Sequence, residues 1–323
     1  MDSFTDFAFN EEYKRLIAVG DKLAEVEALI DWKKFRPILE SKKFRPILES
    51  MYTNRSASGG RPEADVIVML KMLILQQWHG LSDQEIEKQC IDRISFRHFL
   101  KFPEYIPDST TVWLFRKRII DTNKEKEVWR ELQRQLDSLG LKIKKGMIQD
   151  ATFIHSDPGH AGADKPRGSE AKTRRNKDGT WAKKSGKSHF GYKLHTIIDT
   201  DYQLIRRFET TTATVHDNKV DLSRENEVVY RDKGYFGSKC CGYDATMQRA
   251  VRGRPLGIRE ILRNSRISAI RVTGERVYAV TKGVFKSGTT LVTTVKRVNL
   301  KMLFTAFGFN LYQLSTLRSK GVI

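Results

Sequence analysis

The hydrophobic period of this chain changes at Lys142, and that change limits the fold more than any other feature. Before it, apolar residues recur at helical spacing. After it, GMIQDATFI, HFGYKLHTIID and QLIRRFETTTA are rich in β-branched and aromatic residues and read as strands. A chain that is helical first and mixed afterwards points to an all-α region followed by an α/β domain. At 323 residues it is long enough for each part to bury its own core.

The front half divides again. Residues 1–60 read as a charged helical segment holding a perfect tandem repeat, KKFRPILES at 33–41 and at 42–50. Two copies of nine residues are too few for a solenoid. Pro37 and Pro46 break continuity, so each copy is expected to start its own short helix. After a Ser/Gly-rich link at Ser56–Gly60, residues 61–140 read as a helical domain. ADVIVMLKMLILQQW is a buried helix, and Ser82 and Glu85 have capping-box spacing. STTVWLFRKRII is capped by Asp108 or Ser109, and KEKEVWRELQRQLDSLG closes on Gly140. This is a helix-turn-helix-like arrangement suited to DNA binding, with a helical dimerisation bundle as the alternative.

The charge supports a polyanionic partner. Net charge is +19, with nine basic and two acidic residues both between Lys165 and His189 and between Gln248 and Lys282. The first of these stretches reads as a basic loop that contacts the DNA backbone. Cys90, Cys240 and Cys241 form neither a disulfide framework nor a CxxC zinc motif, which suits a reducing compartment. The opening MDSFTDFAFNEEYKR lacks the apolar core of a signal peptide, and no apolar run is long enough to span a bilayer. A cytoplasmic, nucleoid-associated protein is therefore expected, with no membrane partner.

Three acidic residues carry the chemistry. Asp150 interrupts an apolar strand, where aspartate is disfavoured. Asp232 follows VVYR at the carboxyl end of a strand, where α/β sites form. Glu275 shares a helical face with Arg271, Tyr278 and Lys282 by spacing. Singly, each has an ordinary structural explanation: a partnered buried Asp, or a solvated Arg–Glu pair. Together in a basic chain they suggest divalent ions held against nucleic-acid phosphates, and so phosphodiester chemistry. Lys193 and His195 alternate along a strand and are expected on the same active face; Asp217 is a reserve metal ligand. The cluster His155, Asp157, His160 fits no standard zinc spacing and reads as a loop.

These segments closely resemble the DDE transposases of the insertion-sequence-five group, within the insertion-sequence-four-like class, over residues 30–319. FRPILESMY, GRPEADVIVMLKMLILQQWHGLSDQEIEKQ and IPDSTTVWLFRKRI carry the likeness in the helical part. MIQDATFI, GYKLHTIID, TTATVHDNK, VVYRDKGYFG and ERVYAVTK carry it beyond. Arg271, Glu275 and Lys282 match the family signature Tyr-x2-Arg-x3-Glu-x6-Lys, with Ser268 at the tyrosine position.

The resemblance implies an RNase H-like catalytic domain over 141–323: a mixed sheet flanked by helices, preceded by the all-α, helix-turn-helix-like domain. It implies Asp150, Asp232 and Glu275 as catalytic residues and metal ligands for two Mg²⁺ ions, with Mn²⁺ able to substitute, in an in-line displacement. It further implies binding of an element's terminal inverted repeats, cleavage of its ends and transfer of the 3′-OH to target duplex DNA, in a homodimer or higher synaptic assembly. Arg271, Lys282, Lys193, Lys233, Arg174 and Arg175 are the candidate DNA contacts. The alternative is a catalytically inactive, transposase-derived DNA-binding protein or repressor.

Overall fold

The computed structural model describes residues 11, 13–40, 64–144, 146–159 and 178–323. The second repeat copy, the Ser/Gly link, His160, Arg174 and Arg175 lie outside the described residues. The chain forms two compact units, residues 1–140 with 314–323, and residues 141–313.

The first unit is helical. Helix α1 (Lys22–Leu29) starts at Asp21, whose carboxylate accepts from the Leu23 N–H. A 3₁₀ turn (Trp32–Phe35) leads to a one-turn helix (Arg36–Leu39) with Pro37 in its first turn. The first copy of the repeat thus starts its own short helix, because proline's fixed φ suits a helix start. Helix α2 (Val66–His79) is buried along most of its length, including Lys71 at 2% exposure. Burial lowers the Lys71 pKa, opposed by Glu27 at 3.2 Å, and the ammonium also donates to the Phe99 carbonyl at 2.7 Å. Helices α3 (Asp83–Asp92), α4 (Ile94–Phe99), α5 (Ser109–Asp121) and α6 (Glu125–Ser138) follow. Ser82 accepts from the Glu85 N–H, and Asp108 from the Thr111 N–H, each satisfying an orphan donor of the first turn.

The second unit is built on a mixed sheet. Its strands are β1 (Met147–Ser156), β2 (Thr180–Lys184), β3 (Lys187–Asp199), β4 (Ile205–Thr212), β5 (Val228–Arg231), β6 (Tyr243–Thr246) and the short β7 (Thr289–Thr290). β3 runs antiparallel to β1 on one side and to β2 and β4 on the other. β5 and β6 run parallel to β1. The order is therefore β4–β3–β1–β5–β6, with β2 extending the outer edge of β3 and β7 meeting the far end of β1.

Strand alternation decides which helix covers which face. Ile154, Tyr192 and Leu194 pack against Val298 and Met302 of the long helix α8 (Val295–Ser319). Ile148 packs beneath Gly274 of helix α7 (Ile258–Ala279), where an added Cβ would sit 3.1 Å from Ile148 Cγ2. Met147, Ile197 and Val229 form a separate cluster with Leu222 on the opposite face. Each of these buried side chains stabilises the unit by about 1.5–3 kcal/mol.

The basic stretch between Lys165 and His189 was expected to be loop throughout. Residues 180–189 are instead part of the β2–β3 hairpin. Ser185 and Gly186 turn it with positive φ at both positions (50° and 78°), the geometry a two-residue hairpin favours.

Candidate active site

Asp150 stands mid-way along β1, paired across to Thr196 of β3. β1 and β5 pair in parallel at Met147 with Val229 and Ile148 with Tyr230. Asp150, two residues on along β1, faces α7, where it meets Arg271. Asp232 sits just past β5, where its Oδ1 accepts from the Gly234 N–H at 2.7 Å and caps the turn Lys233–Tyr235. The turn is held from below by Arg231, fully buried, which donates to Thr246 Oγ1 at 2.8 Å and to the Lys239 carbonyl at 2.9 Å.

Glu275 is exposed on α7 and is placed by its neighbours. One turn before it, the Arg271 guanidinium meets Asp150 Oδ2 at 3.4 Å. Three residues after it, the Tyr278 hydroxyl lies 2.7 Å from Thr196 Oγ1. Residues at i−4 and i+3 share a helical face with residue i. The Glu275 backbone is thus spanned by two contacts to the Asp150–Thr196 pair.

The electrostatics suit a cation. Burial pushes the Asp150 pKa up, and the nearby Asp232 charge adds to the rise, while Arg271 and Lys184 oppose it. The Asp150 side chain keeps 28% exposure, so it remains reachable. Two neighbouring carboxylates are relieved by a nearby positive charge. No group of three His, Cys, Asp or Glu side chains converges closely enough to hold a metal ion among the described residues. Asp150 and Asp232 interact electrostatically, while Glu275 is exposed on α7.

Residues 142–311 match the family described as Transposase DDE domain. The chain belongs to the DDE transposases. Residues 11–118 match a second family, Transposase domain (DUF772), so both halves of the chain point to transposition of a mobile element. The transposase is accordingly an enzyme that acts on DNA, of a family that generally uses divalent metals. No solved structure gives a significant match to the chain. Among the described residues, no helix is long and apolar enough to cross a membrane.

The structure redistributes several expected contacts. Lys193 and His195 do not share the face of Asp150. They are paired with Phe153 and Ala151, whose side chains project to the opposite side of the sheet from Asp150. There Lys193 is buried and ion-paired with Asp217 at 2.9 Å. That pairing also gives Asp217, the reserve ligand, a structural partner. His195 is fully buried and meets Thr211 Oγ1 at 2.9 Å, with its pKa lowered by burial to about 4.

Lys282 is not on α7, which stops at Ala279. It lies in a five-residue π turn (Val280–Val284) that continues beyond α7. Burial and the nearby Lys184 lower its pKa. Lys233 is exposed in the turn that Asp232 caps, and Ser268 is exposed on α7. His155 and Asp157 sit at the end of β1 and just beyond it, where Asp157 accepts from the Gly159 N–H. The contributions of Thr196 and Lys184, and the contact Tyr278 makes with Thr196, were not anticipated. Only the strand pairing and the helix packing reveal them.

Proposed function

We propose that this chain cleaves the ends of an insertion sequence at its terminal inverted repeats and joins the freed 3′-OH to target DNA. It would do so as an RNase H-like DDE transposase of the insertion-sequence-five group. The observation that carries the reading is that Asp150 on β1 and Asp232 just past the parallel β5 lie close enough for their charges to interact, with Arg271 of the Glu275-bearing helix against Asp150. The sheet order, three antiparallel strands followed by two parallel to the first, supports the RNase H-like assignment.

Asp150, Asp232 and Glu275 would hold two Mg²⁺ or Mn²⁺ ions. When bound, such ions activate the attacking oxygen and stabilise the leaving one in an in-line displacement. Asp150 supplies a carboxylate fixed in a central strand. Asp232 supplies one fixed by the Gly234 N–H and the Arg231 clamp. Arg271 neutralises Asp150 in the free protein and is placed to pass to a phosphate when DNA arrives. Lys282, Lys184 and Lys233 add positive charge around the scissile strand. The helical unit would bind the element end, and a dimer or larger synaptic assembly would hold two ends together.

Replacing Asp150, Asp232 or Glu275 with Ala should abolish nicking and strand transfer while leaving duplex binding within a few-fold. An Asp232→Ala chain that cleaves like its parent would refute the assignment. The second reading is a transposase-derived DNA-binding protein without turnover. It is favoured by the outward-facing Glu275 and by Ser268 in the signature. Duplex binding with no metal-dependent cleavage would select it.

A further inference from the structure

Helix α7 carries a second basic face that the chemistry above does not use. Arg259, Leu262, Arg263, Arg266 and Ile270 follow the spacing i, i+3, i+4, i+7 and i+11, so they form one stripe along the helix. The stripe walls a groove of about 510 Å³, with Tyr230 of β5 and Ala245 of β6 opposite it. β6 is the last strand of the sheet on this side. Among the described residues, no acidic side chain lines the groove. Arg259 and Arg266 are exposed and form no ion pair among the described residues. Arg263 is part-buried and donates to the Thr246 carbonyl at 2.6 Å, which ties it to β6. The neighbouring acid, Glu260, is engaged elsewhere: it accepts from the Gly257 N–H and pairs with Arg254.

Charge and spacing select the occupant. Three guanidiniums without acidic company call for a polyanion, and the family to which the chain belongs acts on DNA. Arg259 to Arg266 spans about 10 Å at helix rise, which matches about three phosphates of one DNA strand. From Arg266 to Arg271, which meets Asp150, the helix advances about 7.5 Å and turns by about 140°. The groove and the carboxylates therefore flank α7 on different sides, within a few nucleotide steps of each other. DNA in the groove approaches the helix from another side than a strand lying against Glu275. The reaction proposed above uses two DNA molecules, the element end and the target. An element end must be read by its sequence, which guanidinium–phosphate contacts do not do. They suit the DNA whose sequence varies from one insertion to the next.

We propose that Arg259, Arg263 and Arg266 of α7, facing Tyr230 and Ala245 across the groove, bind the phosphate backbone of target duplex DNA. The inference rests on the DNA reading given above and deepens it. One flank of α7 serves the cut end, and the other captures the DNA that receives it.

The test compares the full chain with the double variant Arg259→Gln/Arg266→Gln, both at exposed positions outside the carboxylate site. Anisotropy of a labelled random-sequence duplex of about 25 base pairs is followed across salt, because each lost phosphate contact lowers the slope of log affinity against log salt by about 0.9. The slope should fall by about 1.8, and affinity at moderate salt by about 10-fold. Arg259→Lys/Arg266→Lys keeps both charges and should stay within about threefold of the parent. A second readout separates the two DNA molecules: nicking of the element's own end, and joining of an end already carrying a free 3′-OH to a plasmid. Nicking should stay within about twofold while joining falls by about 10-fold. An unchanged salt slope would overturn the proposal, as would equal losses in nicking and joining. An unchanged slope with an altered oligomeric state would assign the groove to a second copy of the chain, and would overturn it too. If the parent chain neither nicks nor joins DNA, the reading above fails. If it does both and the glutamine variant matches it, the groove proposal alone fails.

Discussion

Gly274→Val tests whether the spacing between α7 and β1 sets the active site. A Cβ at position 274 would lie 3.1 Å from Ile148 Cγ2 and 3.6 Å from its Cδ1. Carbon atoms prefer about 3.5–4.0 Å, and valine's methyls reach further than the Cβ. Ile148 is 1% exposed on a central strand, so it has little room to yield and the helix must lift by about 1 Å. Overpacking of this kind costs about 1–3 kcal/mol, while the helix-propensity gain of Val over Gly returns only about 0.4 kcal/mol. The lift carries Arg271 and Glu275 away from Asp150. A misplacement of about 1 Å at reacting groups lowers a rate by about 100-fold. Urea unfolding and single-turnover nicking measure the two effects separately. Ile148→Ala opens the space, so the double variant should be more stable than the sum of the single changes by at least about 0.5 kcal/mol and should regain activity. Additive stabilities, or full nicking activity in Gly274→Val, would refute the reasoning.

Other consequences follow from buried charge. Arg206→Met strips Asp199, which is fully buried, of its ion-pair partner at 2.8 Å and should cost about 3–5 kcal/mol near neutral pH. Burial already raises the Asp199 pKa, so this loss should shrink as pH falls through the folded-state pKa and the carboxyl becomes neutral, as acid titration of the variant will show. The folded pKa of His195 is depressed from 6.5 to about 4, so its contribution is complete above 6.5 and is lost as pH falls between those values. His195→Gln should flatten that limb of the stability curve by up to about 3 kcal/mol, measured by urea unfolding across the range. Arg231→Lys cannot reproduce the contacts to Thr246 and Lys239 together. It should destabilise the unit by about 1–3 kcal/mol and loosen the turn that holds Asp232, seen as faster amide exchange at Gly234.

The sequence carried most of the element order because its local signals were strong. Ser82 and Asp108 cap as their spacing predicts, and Pro37 starts a helix turn. Asp150 was conspicuous as an acid inside an apolar strand. Other features depended on pairing that composition cannot express. Lys193 and His195 looked like neighbours of Asp150, but a shift of one residue in parity puts them on the other sheet face. Lys282 lies beyond the α-helix, because α7 widens into a π turn that the sequence spacing alone does not signal. The β2–β3 hairpin hid within a basic stretch whose charge suggested a loop. Ser185-Gly186, between alternating residues, was the available signal. Gly191 was equally silent: at φ +136° its added Cβ would strike the Ile154 carbonyl oxygen at 2.3 Å, so the close β1–β3 approach there depends on glycine.

The central claim is metal-dependent DNA cleavage by the Asp150–Asp232–Glu275 site. The most direct measurement is nicking of a labelled duplex carrying the element's own end, with and without Mg²⁺, by the full chain and by the chain lacking residues 42–50. The account predicts nicking at the element end only when Mg²⁺ is present, and its loss in Asp232→Ala. Binding of the end by both chains with no nicking under any metal condition would contradict it and leave a DNA-binding protein descended from a transposase.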